Sequence, residues 1–169
     1  DVISLYQAGI KNTVATLGTA ISKIQIEKLF KETAKIQFCF DGDLAGQTAA
    51  RKALDLSLPL LKNDRQIEFS FLPNGSDPDS LIRAFGANQF LNQCRTISLV
   101  DFLLEVIAEK SSSSTNSSNA ASAALAKPLI LSIPDATQRA FAVNALAEKT
   151  GFDPAILWRE FNPQFKKQR

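Results

Sequence analysis

Two aspartates one residue apart, Asp41 and Asp43, stand where an alternating apolar stretch, Ile36 to Phe40, runs into Gly42. Residues i and i+2 of a strand project to the same side, toward the carboxyl edge where open α/β sheets take ligands. Two carboxylates held that close raise each other's pKa unless a divalent cation compensates them. The pair therefore suggests magnesium or manganese, with a phosphate opposite. Gly42 lets the backbone come close, and Ala45 and Gly46 leave space at the start of the following helix, whose N–H groups favour an anion. A turn or a helix cap is the plainer use of any single Asp at a strand end. A second pair, Asp77 and Asp79 in GSDPDSL, follows the next strand-like run. Consecutive parallel strands deliver their carboxyl ends to one edge, so the two pairs could converge there. An ordinary turn with an N-cap explains the second string equally well. Asp1 is expected from a loop or helix start on the same edge.

The elements that must position these residues follow from periodicity and punctuation. VISLYQAG reads as a short helix ended by Gly9, and KNTVATL (11–17) as a β-rich run. Ser22 caps a helix with Ile26, Leu29 and Phe30 at helical spacing. The strand over 36–40 delivers Asp41, and a helix follows from about Ala45, with Pro59 kinking or stopping it. RQIEFSFL (65–72) alternates, with Ile67, Phe69 and Phe71 on one face and Gln66, Glu68 and Ser70 on a solvated one. Helix and strand in alternation predict an α/β fold with a parallel sheet flanked by helices over residues 1–80. An all-helical subdomain is expected over 81–169, with no further strand. There Leu99, Phe102, Leu103, Val106 and Ile107 form an amphipathic stripe. Asp135 and Gln138 open a helix that runs to Gly151, and Asp153-Pro154 opens a last one carrying Trp158. The polar tract 111–122, SSSSTNSSNAAS, reads as a flexible linker.

Composition narrows the chemistry. The chain has no His and two Cys, so zinc sites and His-based general base catalysis are excluded on inventory. Cys39 and Cys94 are expected to be small buried hydrophobes in a reducing, cytoplasmic setting. No apolar run approaches the roughly 20 residues of a membrane helix. A net charge of +2 gives no strong basic field. The chain opens on Asp1 and contains no Met, which predicts a piece of a longer protein.

Taken in order, DVI with YQAGIKNTVATLGTA, FCFDGDLAGQTAARKAL, FLPNGSDPDSL and SLVDFLLEVI resemble the bacterial DnaG-type DNA primases. The likeness covers most of residues 1–110 and continues more weakly through KPLILSIPDATQRAFAVNALAEKTG. It implies a partial Toprim fold followed by a helical subdomain. The family's first motif, Glu-Gly-Tyr-x-Asp-Val, is met here from its Asp, which is Asp1, so the first strand and the motif glutamate are not present. The resemblance implies that Asp41 and Asp43 are the metal-binding Asp-x-Asp pair, Asp77 and Asp79 a further acidic pair, and Asp1 an acidic member of the site, all five being expected to hold the metal. Asp1, Asp41 and Asp43 are the implied catalytic residues. Leu44 departs from the Arg usual in the family, which weakens any phosphate contact from that position. The implied activity is synthesis of short RNA primers on single-stranded DNA from nucleoside triphosphates, with magnesium or manganese. The implied helicase partner is expected to bind through a region outside this chain. Two other readings stay open: a phosphohydrolase of the haloacid-dehalogenase type, with Asp41 as nucleophile, and a non-catalytic docking piece using helical faces at 98–110 and 127–161.

Overall fold

The computed structural model describes residues 1–17, 20–62, 64–112 and 119–161. They form two compact units, Asp1–Ala53 with Ile67–Ser98, and Leu54–Gln66 with Leu99 onward. The division expected at 80/81 therefore falls at Ser98/Leu99 instead. A strand not foreseen from the sequence, β3 (Arg95–Ser98), accounts for the shift. It pairs antiparallel with β2 (Gln66–Phe71), in a register that sets Phe69 opposite Ile97 and Ser70 opposite Thr96.

In the first unit, β1 (Lys35–Phe40), β2 and β3 form one sheet in that order. The Leu72 N–H donates to the Phe40 carbonyl at 3.0 Å, so β1 and β2 end side by side at one edge. The sheet is thus mixed, not wholly parallel. Alternation divides its faces. Phe38, Phe40, Phe69 and Phe71 pack ring on ring, with the Phe38 and Phe69 centroids 5.4 Å apart. The opposite face is polar. There the Gln37 amide donates to Ser70 Oγ at 2.7 Å, and Ser70 Oγ shares a hydrogen bond with Thr96 at 2.6 Å. That bonding explains why Ser70 is buried although it falls on the face expected to be solvated.

Around the sheet lie α1 (Val2–Gln7), α2 (Lys23–Glu32), α3 (Leu44–Ser57), α4 (Pro78–Phe85) and α5 (Ala87–Gln93). A full capping box starts α2: Ser22 accepts from the Gln25 N–H while Gln25 Oε1 accepts from the Ser22 N–H. Helix α1 packs on α4 through Leu5, which is buried with Leu72, Leu81, Ile82 and Phe90. Residues 11–17, for all their β-branched side chains, join no strand. Propensity alone builds no sheet when no neighbouring strand accepts its hydrogen bonds.

The second unit takes the end of α3, where Pro59 sits at the start of a 3-10 turn, Leu58–Leu60. It continues with α6 (Leu99–Ser112), α7 (Asn119–Leu131), α8 (Ala136–Thr150) and α9 (Pro154–Phe161). Helix α6 buries Leu99, Val100, Leu103, Leu104 and Ile107 among others, so apolar contact surrounds more of it than a single stripe would. Asp135 accepts from the Gln138 N–H at 2.9 Å to start α8, and Gly151, in the left-handed conformation at φ 71°, ends it. The expected linker is shorter than 111–122. Ser111 and Ser112 finish α6, and 119–122 begin α7, where the Asn119 amide donates to the Thr150 carbonyl at 2.6 Å. Residues 113–118 lie outside the described residues. Trp158 is half-buried, beside the buried Leu157. Neither cysteine is fully buried: Cys39 is exposed at the end of β1 and Cys94 is half-buried.

Candidate functional site

The rim where β1 and β2 end is built by glycines. A Cβ on Gly42 would strike the Leu72 carbonyl and come within 2.6 Å of the Pro73 carbonyl oxygen. A Cβ on Gly46 would strike the carbonyl of Asp41. No other residue type lets the Asp41–Gly46 loop lie this tightly against the segment after β2. Asp43 then caps α3: its Oδ1 accepts from the Gly46 N–H at 2.7 Å, and its carbonyl accepts from Gln47.

The carboxylate just before it has no comparable relief. Desolvation first, then the charges of Asp43 and Asp77, push the Asp41 carboxyl above the ordinary carboxylate range. Asp41, Asp43 and Asp77 thus form one electrostatic group, although 34 residues separate the second from the third (77 minus 43). An open hollow of about 430 Å³ adjoins it, lined by Gly42, Asp43, Leu44, Ala45, Gln47 and Asn74. Leu44, in place of a cation, is 81% exposed there. Gln47 and Asn74 were not singled out from the sequence, and nothing in the pattern of the chain marks them.

The second pair splits. Asp77 is the N-cap of α4, accepting from the Ser80 N–H at 2.8 Å, while Ser80 Oγ returns a bond to the Asp77 N–H. Pro78 occupies the first helical position with its φ already set. Asp79 lies one residue into that helix. It accepts from the Ser4 hydroxyl and pairs with Arg83 Nε at 2.8 Å. Those two partners, Ser4 first, hold its carboxyl below the ordinary range. Arg83 is therefore engaged with Asp79. Asp1 is the N-cap residue of α1 but makes no side-chain capping bond.

Among the described residues, no three of Asp, Glu, Cys and His close into a cage around an ion. Magnesium does not need one, because it keeps several waters and is commonly held by one or two carboxylates plus substrate phosphates. Asp41 and Asp43, with the charge of Asp77 behind them, fit such an ion in charge and donor type.

Comparison with known proteins places both units. A family model described as "Toprim-like" matches residues 1–82, and one described as "DnaB-helicase binding domain of primase" matches residues 100–155. The structure superposes on a DNA primase domain from Pseudomonas aeruginosa with a TM-score of 0.84, at 38% identity over 95% of this chain and 50% of that one. The chain belongs to the DnaG-type primase family. The Escherichia coli primase catalytic core gives a TM-score of 0.79 at 36% identity over 90% of this chain and 49% of that one. A DnaG primase catalytic domain bound to single-stranded DNA gives 0.77 at 36% identity, over 87% and 48%. The DNA primase of Pseudomonas putida is 44% identical over 156 residues, 91% of this chain and 24% of that protein. This DnaG-type chain thus spans about a quarter of the length of the curated relatives it matches. The match at 100–155 overturns one expectation: a helicase-binding likeness lies within this chain rather than outside it. Helical periodicity in α6 to α8 revealed the helices but carries no mark of a binding partner. Nothing in these comparisons favours the phosphohydrolase reading. No described helix is long and apolar enough to cross a membrane.

Proposed function

We propose that this chain supplies the metal-holding part of a primase catalytic core, which makes short RNA primers on a single-stranded DNA template from nucleoside triphosphates. The observation that carries the proposal is the sheet rim where β1 and β2 end together, at which desolvation and the charges of Asp43 and Asp77 push the Asp41 carboxyl up. Asp41 and Asp43 would hold magnesium or manganese, with Asp77 adding negative charge from the start of α4. The ion, when bound, would neutralise triphosphate charge and favour ionisation of the attacking 3′-hydroxyl. Asp43, fixed by the Gly46 N–H, keeps its carboxylate beside the hollow, where Gln47 and Asn74 offer amide groups to a nucleotide. The near-neutral charge of the chain fits a catalytic part that takes its grip on DNA from basic surfaces elsewhere. Asp1 is the least engaged of the candidates and is proposed only as an acidic neighbour of the site.

Manganese titration followed by electron paramagnetic resonance tests the metal reading. The unaltered chain should bind, and Asp41→Asn with Asp43→Asn should weaken binding by about tenfold or more, the loss expected for metal-site changes. Equal binding by both proteins would end the metal assignment.

Residues 100–155 are proposed, on the same terms, to contact a replicative helicase of the DnaB kind through α6 to α8. A labelled helicase titrated with this chain should show saturable binding that survives Asp41→Asn. Absence of binding at tens of micromolar, the range of weak interfaces, would remove this half of the proposal.

A further inference from the structure

Asp77 and Asp79 share a spacing with Asp41 and Asp43, yet both oxygens of Asp79 are engaged by side chains of this same chain. Oδ1 accepts from Ser4 Oγ of α1, and Oδ2 pairs with Arg83 Nε one turn further along α4, at 2.8 Å. The residue after Ser4 is Leu5, buried against Leu81 and Ile82 of α4. The polar contact therefore borders the apolar one, and together they fix how far α1 and α4 slide along each other. Helix α4 begins at Asp77, whose side chain caps it. Any shift of α4 moves Asp77 relative to the Asp41–Gly46 loop, because Gly42 is pressed against Pro73 and the Pro73–Ser76 turn leads directly into Asp77.

We propose that Asp79 is a positioning residue and not a metal ligand: by joining Ser4 of α1 to Arg83 of α4 it sets where Asp77 stands against Asp41. The inference rests on the metal reading of Asp41, Asp43 and Asp77. It differs from the sequence expectation, which counted Asp79 among five metal-holding aspartates. It assigns a role to Ser4 and Arg83, neither of which the metal reading uses. A ligand must present a lone pair to the ion, and an oxygen already bonded to a guanidinium offers a poor one.

The test removes the partners without touching the carboxylate. Manganese affinity is measured by electron paramagnetic resonance, below each variant's melting temperature, for Ser4→Ala with Arg83→Gln, and for that pair combined with Asp79→Asn. Freeing Asp79 from its partners should weaken binding by about tenfold, as loss of an outer support does. Adding Asp79→Asn should then change affinity by less than about twofold, because groups acting as one unit are not additive. A further loss of about tenfold or more on adding Asp79→Asn would make it a ligand and overturn the proposal. Affinity unchanged in all these variants would overturn it equally. Asp41→Asn runs alongside: if it too leaves affinity unchanged, the metal reading itself has failed, and that outcome is separable from the others.

Discussion

The chain carries the string Asp-x-Asp twice at strand ends, and the intervening residue decides what each becomes. Between Asp41 and Asp43 stands Gly42, pressed so close to Leu72 and Pro73 that a side chain has no room. The tight Asp41–Gly46 loop keeps both aspartates at the rim. Between Asp77 and Asp79 stands Pro78, which starts a helix at once. Successive helical positions rotate by about 100°, so Asp79 turns away from Asp77 and finds Ser4 and Arg83. In the first pair Asp43 caps α3 and Asp41 is left with its charge unrelieved, whereas the second pair disperses its charge into a cap and an ion pair. A spacing of two therefore does not by itself make a shared ligand, because the residue between the two aspartates decides where the second one goes.

The largest effect expected from breaking this contrast is at Gly46. In Gly46→Ala the new methyl meets the Asp41 carbonyl, so the loop must move or the helix start must unwind. Overpacking of this kind costs about 1–3 kcal/mol, sometimes more. Thermal unfolding should show that loss, with manganese binding lost alongside; a melting temperature like that of the unaltered chain would mean the rim is softer than the structure implies.

Asp41→Asn should act in the opposite direction when no metal is present. Folding raises the carboxyl pKa of Asp41, so its ionised form opposes folding at neutral pH. That penalty is relieved as pH falls through the raised folded value, and it is absent below the ordinary unfolded value of about 3.9. The Asn variant should therefore melt higher at pH 7 than the unaltered chain, with the difference closing below about pH 4. Manganese should narrow the gap at pH 7 by stabilising only the unaltered chain. A gap that widens on acidification would contradict the sign.

The smallest effect is expected at the second pair. Asp77→Ala removes the N-cap of α4 and should cost about 1 kcal/mol, visible in urea titration at neutral pH. Asp79 works with the opposite sign from Asp41. Its folded pKa is lowered, so its contribution is present above the ordinary carboxylate value and is lost as pH falls through the folded one.

The two pairs differ in how much of their surroundings the sequence shows, and the reason is local. Glycine after an alternating strand marks close approach whatever lies opposite, so Asp41 and Asp43 could be placed before any coordinates were known. Asp79 was grouped with them because Ser4, its partner, lies 75 residues away and nothing in α1 announces it. Arg83 could have been suspected, since an Asp and an Arg four apart in a helix make a common pair. The same division holds for the elements. Capped and punctuated helices such as α2, α8 and α9 were legible from Ser22, Asp135 and Asp153. Strand β3 was not, because Arg-Thr-Ile-Ser has one large apolar residue and owes its conformation to pairing with β2. Residues 11–17 erred the other way, being rich in β-branched residues but without a strand to join. Residues 119–122 looked like linker by their serine content, yet their alanines extend α7.

The strand that ends in Asp41 has a hydrogen-bonding neighbour on one flank only, since β1 stands first in the order β1-β2-β3 among the described residues. Among the described residues no strand pairs with its outer row of amides and carbonyls, and a strand laid there would brace the segment that holds the carboxylates. Handled alone at high concentration, this chain should therefore tend to self-associate through that flank.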